Sequence, residues 1–209
     1  MSRKMRDVEF RDKQQQHRYD EHVISINKLA EDLYQEGLAC PPYVAPMHGG
    51  IKARLLYVLR DPGKMTQEKN GGSGFLCIEN DDVTAETISK LFEDAKIKAS
   101  DIVPWNAYPW FINREPTAAE LEKGVDPMKR LIDLLPELRV VMLLGGSAHK
   151  GWKLLIRKYP EIADSELYVI KTYHTSRQAF WHKDPKVREE RKAHLRQSFF
   201  DAASYLQQA

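Results

Sequence analysis

The sequence predicts an α/β fold: a three-layer α/β/α sandwich around a central, mainly parallel four-stranded sheet. Two observations carry this. Four short apolar runs of strand length recur along the chain, at 53–59, 102–105, 139–144 and 167–172, and strands covered on both faces read as continuous apolar runs. Between them lie segments whose apolar residues recur at helical spacing, and alternation of the two patterns argues for a parallel sheet with helices on either side. At 209 residues the chain is long enough to bury a real core. It reads as a single domain over 1–209, with residues 1–45 as a helical arm packed on it.

Taken in order, the first forty residues are polar apart from one amphipathic segment. There Ile26, Leu29, Ala30 and Leu33 recur on one helical face, so a helix packs against the sheet. The run CPPYVAPMHGG then breaks regular structure with three prolines and two glycines. After the first strand, Asp81 and Asp82 are candidate caps for a helix carrying Ile88, Leu91, Phe92 and Ala95. After the second, Thr117-Ala-Ala-Glu120 is a capping box, followed by Leu121, Met128, Leu131, Ile132 and Leu135. Pro127 is expected to kink or divide that helix. Helices over 147–158 and 185–206 complete the set, the latter with Leu195, Phe199 and Leu206 on one side.

Composition excludes several classes. A mean hydropathy of -0.56, with no apolar run near bilayer length, predicts no transmembrane helix. The opening MSRKMRDVEFRDKQQQ lacks the apolar stretch of a secretory signal. Two cysteines, Cys40 and Cys77, are too few for a disulfide framework, a four-cysteine zinc site or a four-cysteine iron–sulfur cluster. A reduced, cytoplasmic protein is the expectation. Net charge is only +2, but its distribution is uneven. From Lys171 to Arg196 eight basic residues face three acids, whereas from Ile78 to Asp101 seven acids face three lysines. A basic stretch can follow a phosphate backbone; a solvated helix face with interleaved charges is the plainer alternative.

In such folds ligands bind beyond the carboxyl ends of the strands, so the polar residues just after each strand matter most. The first strand is followed by Arg60-Asp61-Pro62-Gly63, a carboxylate beside a tight turn, able to orient water or support a nearby cation. An ordinary Asp-Pro-Gly turn is the structural alternative. Gly71-Gly72-Ser73-Gly74-Phe75 then offers one aromatic, either to stack on a planar base or to anchor the loop in the core. Asn106, ending the second strand, has the donor and acceptor needed to read a ring edge such as that of uracil; otherwise it caps a turn. The third strand ends in Gly145-Gly146-Ser147-Ala148-His149, glycines before a helix that bare backbone N–H groups for an anion. The G-x-S-x-G pattern of a serine nucleophile fails there, because His149 stands where the second glycine belongs. The fourth strand ends in Tyr173-His174-Thr175-Ser176-Arg177-Gln178, a histidine followed by hydroxyls and a cation.

Together these segments, from about residue 51 to 180 and in the right order, resemble the uracil-DNA glycosylase superfamily. Arg60-Asp61-Pro62-Gly63 resembles its first motif and Tyr173-His174-Thr175-Ser176 its His-Pro-Ser motif. Trp105-Asn106-Ala107 is similar to its uracil-reading strand end, Gly74-Phe75 to its stacking loop, and Leu144 through Lys150 to its phosphate-gripping turn. The stretch from Asn113 to Leu144 is similar to the family's iron–sulfur branch, although the four ligand cysteines are missing.

The resemblance implies that a uracil flipped out of DNA stacks on Phe75 and is read by Asn106, with Gly63 beside it. Asp61 would orient the attacking water and His174 would hold the departing uracil anion. Gly146, Ser147 and Ser176 would hold phosphates, and Arg177 or Gln178 would fill the vacated stack. No metal or cofactor is implied, the expected partner is DNA containing uracil or a related lesion, and a monomer is expected. Gly63 replaces the tyrosine with which the best-known branch excludes the thymine methyl. His-Thr-Ser replaces His-Pro-Ser, and Arg-Gln replaces the Pro-Leu wedge. Two other functions fit the same residues: a catalytically silent member that binds uracil or nucleic acid, and a small serine hydrolase using Ser147 and His174.

Overall fold

In the computed structural model, which describes residues 3–35 and 40–208, the four apolar runs form one parallel sheet. Helices α1 (Val8–Gln16) and α2 (Ile24–Gln35) precede a two-residue strand, β1 (Tyr43–Val44). Strand β2 (Leu55–Leu59) opens the main sheet, β3 (Phe75–Leu76) pairs with β1, and α3 (Val83–Asp94) leads into β4 (Ile102–Asn106). Then follow α4 (Ala118–Lys123), α5 (Val125–Asp133), β5 (Val140–Leu144), α6 (Gly146–Lys158), α7 (Pro160–Ala163), β6 (Tyr168–Thr172), α8 (Arg177–Phe180) and α9 (Pro185–Gln208). The main sheet has the order β4-β2-β5-β6, with Leu55 opposite both Ile102 and Val140, and Val140 opposite Tyr168.

Side chains alternate between the two faces of each strand, and each face has its own core. Leu56, Val58, Val103, Trp105, Val141 and Leu143 pack with Ile26, Leu29 and Leu33 of α2, Met128 and Leu131 of α5, and Trp152 and Leu155 of α6. Leu55, Tyr57, Ile102, Val140, Met142 and Leu144 pack on the other face with Ile88 and Phe92 of α3 and Leu195, Phe199 and Leu206 of α9. Helices therefore cover both faces, as the uninterrupted apolar runs require. Strand β6 is the exception: it lies at the sheet's edge and leaves Tyr168 and Lys171 exposed. A lysine there discourages pairing with another chain.

Helix starts follow the sequence. The Asp82 carboxylate accepts from the Ala85 N–H at 2.9 Å, and Thr117 and Glu120 cap each other's backbone N–H at the start of α4. The expected break at Pro127 lies elsewhere. Pro127 sits in the first turn of α5, where its missing N–H is needed by no carbonyl. The chain divides instead at Gly124, where a Cβ would stand 1.9 Å from the Ala107 carbonyl oxygen, just beyond the end of β4. Backbone approach of this kind excludes any side chain.

The small β1–β3 sheet has no counterpart in the sequence reading, whereas helix α1 falls within the helical arm expected over 1–45. Tyr43 pairs with Phe75 and Val44 with Leu76, and the buried Asn27 of α2 fixes the pair. Its Oδ1 accepts from Val44 N at 2.8 Å, and its Nδ2 donates to Val44 O at 3.2 Å. Residues 3–16 pack beside it. Lys4 N donates to Glu79 Oε2 and Met5 N to Glu79 O, each at 3.0 Å, while Arg3 and Arg6 pair with Asp81. Part of the acidic 78–101 stretch is thus matched by the basic arm. Among the described residues no helix is long and apolar enough to cross a membrane.

Gly124→Ala forces the α4–α5 junction away from the Ala107 carbonyl at the β4 exit. We expect a loss of roughly 1–3 kcal/mol, the usual range for overpacking, read as a lowered Tm in thermal unfolding. An unchanged Tm would mean that this contact does not hold.

Candidate active site

Because all four strands run the same way, their carboxyl ends open on one edge of the sheet, and a cleft of about 530 Å³ lies there. The end of β2 contributes Arg60, Asp61 and Gly63, and the end of β4 contributes Asn106. The turn from β5 into α6 contributes Gly145, Gly146 and Ser147, and the segment after β6 contributes His174, Ser176 and Gln178. Gly145 has φ +95°, and a Cβ on it would stand 3.0 Å from the His174 Cβ. Only glycine lets the ends of β5 and β6 come this close. His149 of α6 ties the same two ends together, its Nε2 lying 3.0 Å from Leu143 O and 3.1 Å from Thr172 O. Since carbonyls only accept, that nitrogen carries the proton.

The Asp61 side chain is only 2% exposed, yet both carboxylate oxygens have partners. Oδ1 accepts from Arg60 Nε and Oδ2 from the Asn113 N–H, the latter at 2.9 Å. Asn113 has φ +54°, a left-handed conformation that asparagine tolerates better than most residues. His174 is fixed in one tautomer. Its Nδ1 accepts from the Ser176 N–H at 3.0 Å, so the neutral ring carries its proton on Nε2. Burial, with the Arg60 cation adding to it, pushes the His174 pKa down to about 4. The Asn106 side chain is buried, and its Nδ2 has no hydrogen-bond partner among the described residues. A buried donor left unpaired beside a cleft is an open position for a ligand acceptor.

A parallel four-stranded sheet covered by helices, with a cleft at its carboxyl edge, is the fold that a sequence comparison also points to. The family model of the uracil DNA glycosylase superfamily matches residues 46–199. The chain belongs to that superfamily. No curated protein matches it.

Within this superfamily fold, most of the residues singled out from sequence come together: Asp61, Gly63, Asn106, Gly146, Ser147, His174, Ser176 and Gln178 all line the cleft. A Cβ added at Gly63 or at Gly146 would meet nothing within 4 Å, so space is open beside both. Arg177 opens α8, and its side chain lies outside the described residues.

Phe75 is a correction. It is fully buried and turns away from the cleft into a cluster with Met5, Ala45 and Cys77, its ring centroid 6.2 Å from that of Tyr43. Pairing of β3 with β1 sets that orientation, so Phe75 anchors the loop, and the next residues, Leu76 and Cys77, line the cleft instead. The Cys77 thiol is buried and its pKa is pushed up to about 12, making it a neutral wall rather than a nucleophile.

Ser147 lines the cleft, but its Oγ donates to Glu115 Oε1 at 2.7 Å, and no bond joins it to His174. The dyad of a serine hydrolase is therefore not assembled. The sequence reading passed over Arg60 as a partner of Asp61, and also Asn113, Glu115, Leu76 and Cys77. The alternation of a strand after Gly74 is the one signal that separates Phe75 from Leu76.

His174 resists protonation in the folded state, so stability from this group is whole above its ordinary pKa of 6.5 and is lost as pH falls from there toward about 4. In an NMR titration of the ring signals we expect a midpoint near 4, moving upward in Arg60→Gln but staying below 6.5, because burial is the larger cause. A midpoint at 6.5 in the unaltered protein would contradict the half-buried, neutral ring.

Proposed function

We propose that the protein is a monofunctional DNA glycosylase that hydrolyses the N-glycosidic bond of uracil, or a related damaged base, flipped out of DNA. The observation that carries this reading is the buried, unpaired Asn106 amide sharing one cleft with Asp61 and the Nε2–H of a neutral His174. A flipped pyrimidine leaves its stack to reach such a cleft. Asn106 Nδ2 donates to a ring carbonyl, while its Oδ1 is available to the adjacent ring N–H. Leu76 and Cys77 supply the apolar wall that Phe75 was expected to form.

As the bond from C1′ to the base nitrogen breaks, its electron pair leaves with the base and positive charge develops on the sugar. The Asp61 carboxylate faces that charge and takes the proton of the attacking water, whose oxygen bonds to C1′. The His174 Nε2–H donates to the oxygen on which the base anion concentrates its charge, lowering the barrier to departure. Two contacts with Arg60 Nε and Asn113 N hold Asp61 in place, so little reorganisation is needed during the reaction. A DNA phosphate seated at Gly146 and Ser147, at the start of α6, takes the Ser147 hydroxyl from Glu115. The products are free base and an abasic site, with the strand intact.

The test is release of uracil from a labelled oligonucleotide in single-stranded, U·G and U·A forms, with alkali used to reveal abasic sites. Asp61→Asn and His174→Ala are each expected to slow the single-turnover rate by about 10²–10⁴-fold, the range for one acid–base or anion-stabilising group. DNA affinity should change far less. The unaltered enzyme should show no inflection near pH 6.5 assignable to His174 and should fall off only as pH approaches about 4. Wild-type turnover in both variants would refute the site. DNA binding without release of any base would favour a binding-only protein.

A further inference from the structure

The chain has four tryptophans. Trp105, Trp110 and Trp152 are 1%, 3% and 4% exposed, but Trp181 is 71% exposed. It directly follows α8, whose Gln178 and Ala179 form part of the cleft wall, yet it lies outside the cleft itself. Its backbone is braced. Trp181 N donates to Gln178 O at 3.2 Å, and Arg191 of α9 donates through Nη1 to Ala179 O at 3.2 Å and to Trp181 O at 3.1 Å. The same guanidinium lies 5.7 Å from the ring centre of Tyr173, itself 38% exposed and adjacent to His174. Lys183 and Lys186 follow the tryptophan closely in the chain, are exposed, and make no ion pair among the described residues; the one carboxylate between them, Asp184, accepts from Lys186 N.

A large apolar ring exposed to solvent on a hydrogen-bonded backbone, with exposed lysines close by in the chain, is the pattern of a surface that stacks nucleic-acid bases and neutralises their phosphates. It also gives a role to Lys183 and Lys186 of the basic 171–196 stretch, where Lys192 and Arg196 are already paired with Glu189 and Asp94. A strand delivering one nucleotide into the cleft has to leave across its rim, and α8 is part of that rim. Resting on the glycosylase reading above, we infer that Trp181 is a stacking platform for a base flanking the excised nucleotide, with Lys183 and Lys186 beside the phosphates of that stretch of strand. The site takes an unpaired or locally unstacked base, so it favours single-stranded or opened DNA.

Two single-stranded oligonucleotides test this, one with ordinary bases around a single uracil and one with tetrahydrofuran spacers in place of the flanking bases. Trp181→Ala is expected to bind the first about tenfold more weakly, within the range for loss of one base–aromatic stack, and the second as the unaltered protein does. Trp181→Phe should retain most of the affinity. Because the other three tryptophans are buried, acrylamide quenching reports Trp181, and bound DNA should protect it. Equal losses on both oligonucleotides, or quenching unchanged by bound DNA, would overturn the platform. Normal uracil release with undiminished binding by Trp181→Ala would overturn it too, while leaving the glycosylase reading intact. Protection and discrimination between the oligonucleotides without any base release would uphold the platform and refute the glycosylase reading.

Discussion

Parallel pairing of β4, β2, β5 and β6 is the constraint on which the rest depends, because it brings four carboxyl ends to one edge. Groups separated by more than a hundred residues, Asp61 and His174 among them, then need only short turns to meet in one cleft. The arrangement requires close approach between strand ends. Gly145 admits His174 at the end of β5, and Gly124 admits the carbonyl that follows β4. Each glycine acts through the side chain it lacks: Gly145 lets two strand exits meet, and Gly124 lets a helix junction press on a third.

The cleft is also organised by where charge is tolerated. Asp61 is almost wholly out of solvent, and the Arg60 guanidinium and the Asn113 N–H supply what water would otherwise give it. The same guanidinium stands near His174, where burial already disfavours the imidazolium. One cation therefore bonds to a carboxylate and helps keep an imidazole neutral. A carboxylate held by two donors beside a neutral imidazole suits a site in which one accepts a proton and the other donates a hydrogen bond.

Much of this was legible in the sequence because it rests on local signals. The apolar runs marked β2, β4, β5 and, less purely, β6, and the residues just beyond them marked most of the cleft. The Asp82 and Thr117–Glu120 caps were visible for the same reason: a cap is a matter of three or four residues. What escaped depends on distant partners. Phe75 turns inward because β3 pairs with β1, which lies thirty-odd residues earlier in the chain. Asn113 reaches Asp61 across 52 residues, and no periodicity announces a contact of that kind. The break at Gly124 rather than Pro127 likewise reflects a clash with another element, whereas proline's constraints act on its own turn.

The arm of residues 3–16 touches none of the reacting groups, yet it governs one wall of the cleft. Met5 sits in the cluster beneath Phe75, Gln14 Oε1 accepts from Met47 N at 3.0 Å, and Gln15 Nε2 donates to Ser73 O at 3.4 Å. Those contacts bracket the 73–81 segment that carries Leu76 and Cys77. The main sheet has two cores of its own, whereas the arm joins a third, smaller cluster, and such small clusters are where local opening is expected first. Opening of the arm would release the pocket's apolar wall while the sheet stayed folded. In hydrogen exchange the amides of Met5 and Ala45 would then exchange together, well before those of β2 and β5, and the shape offered to a base would be set by the weaker of two unfolding units.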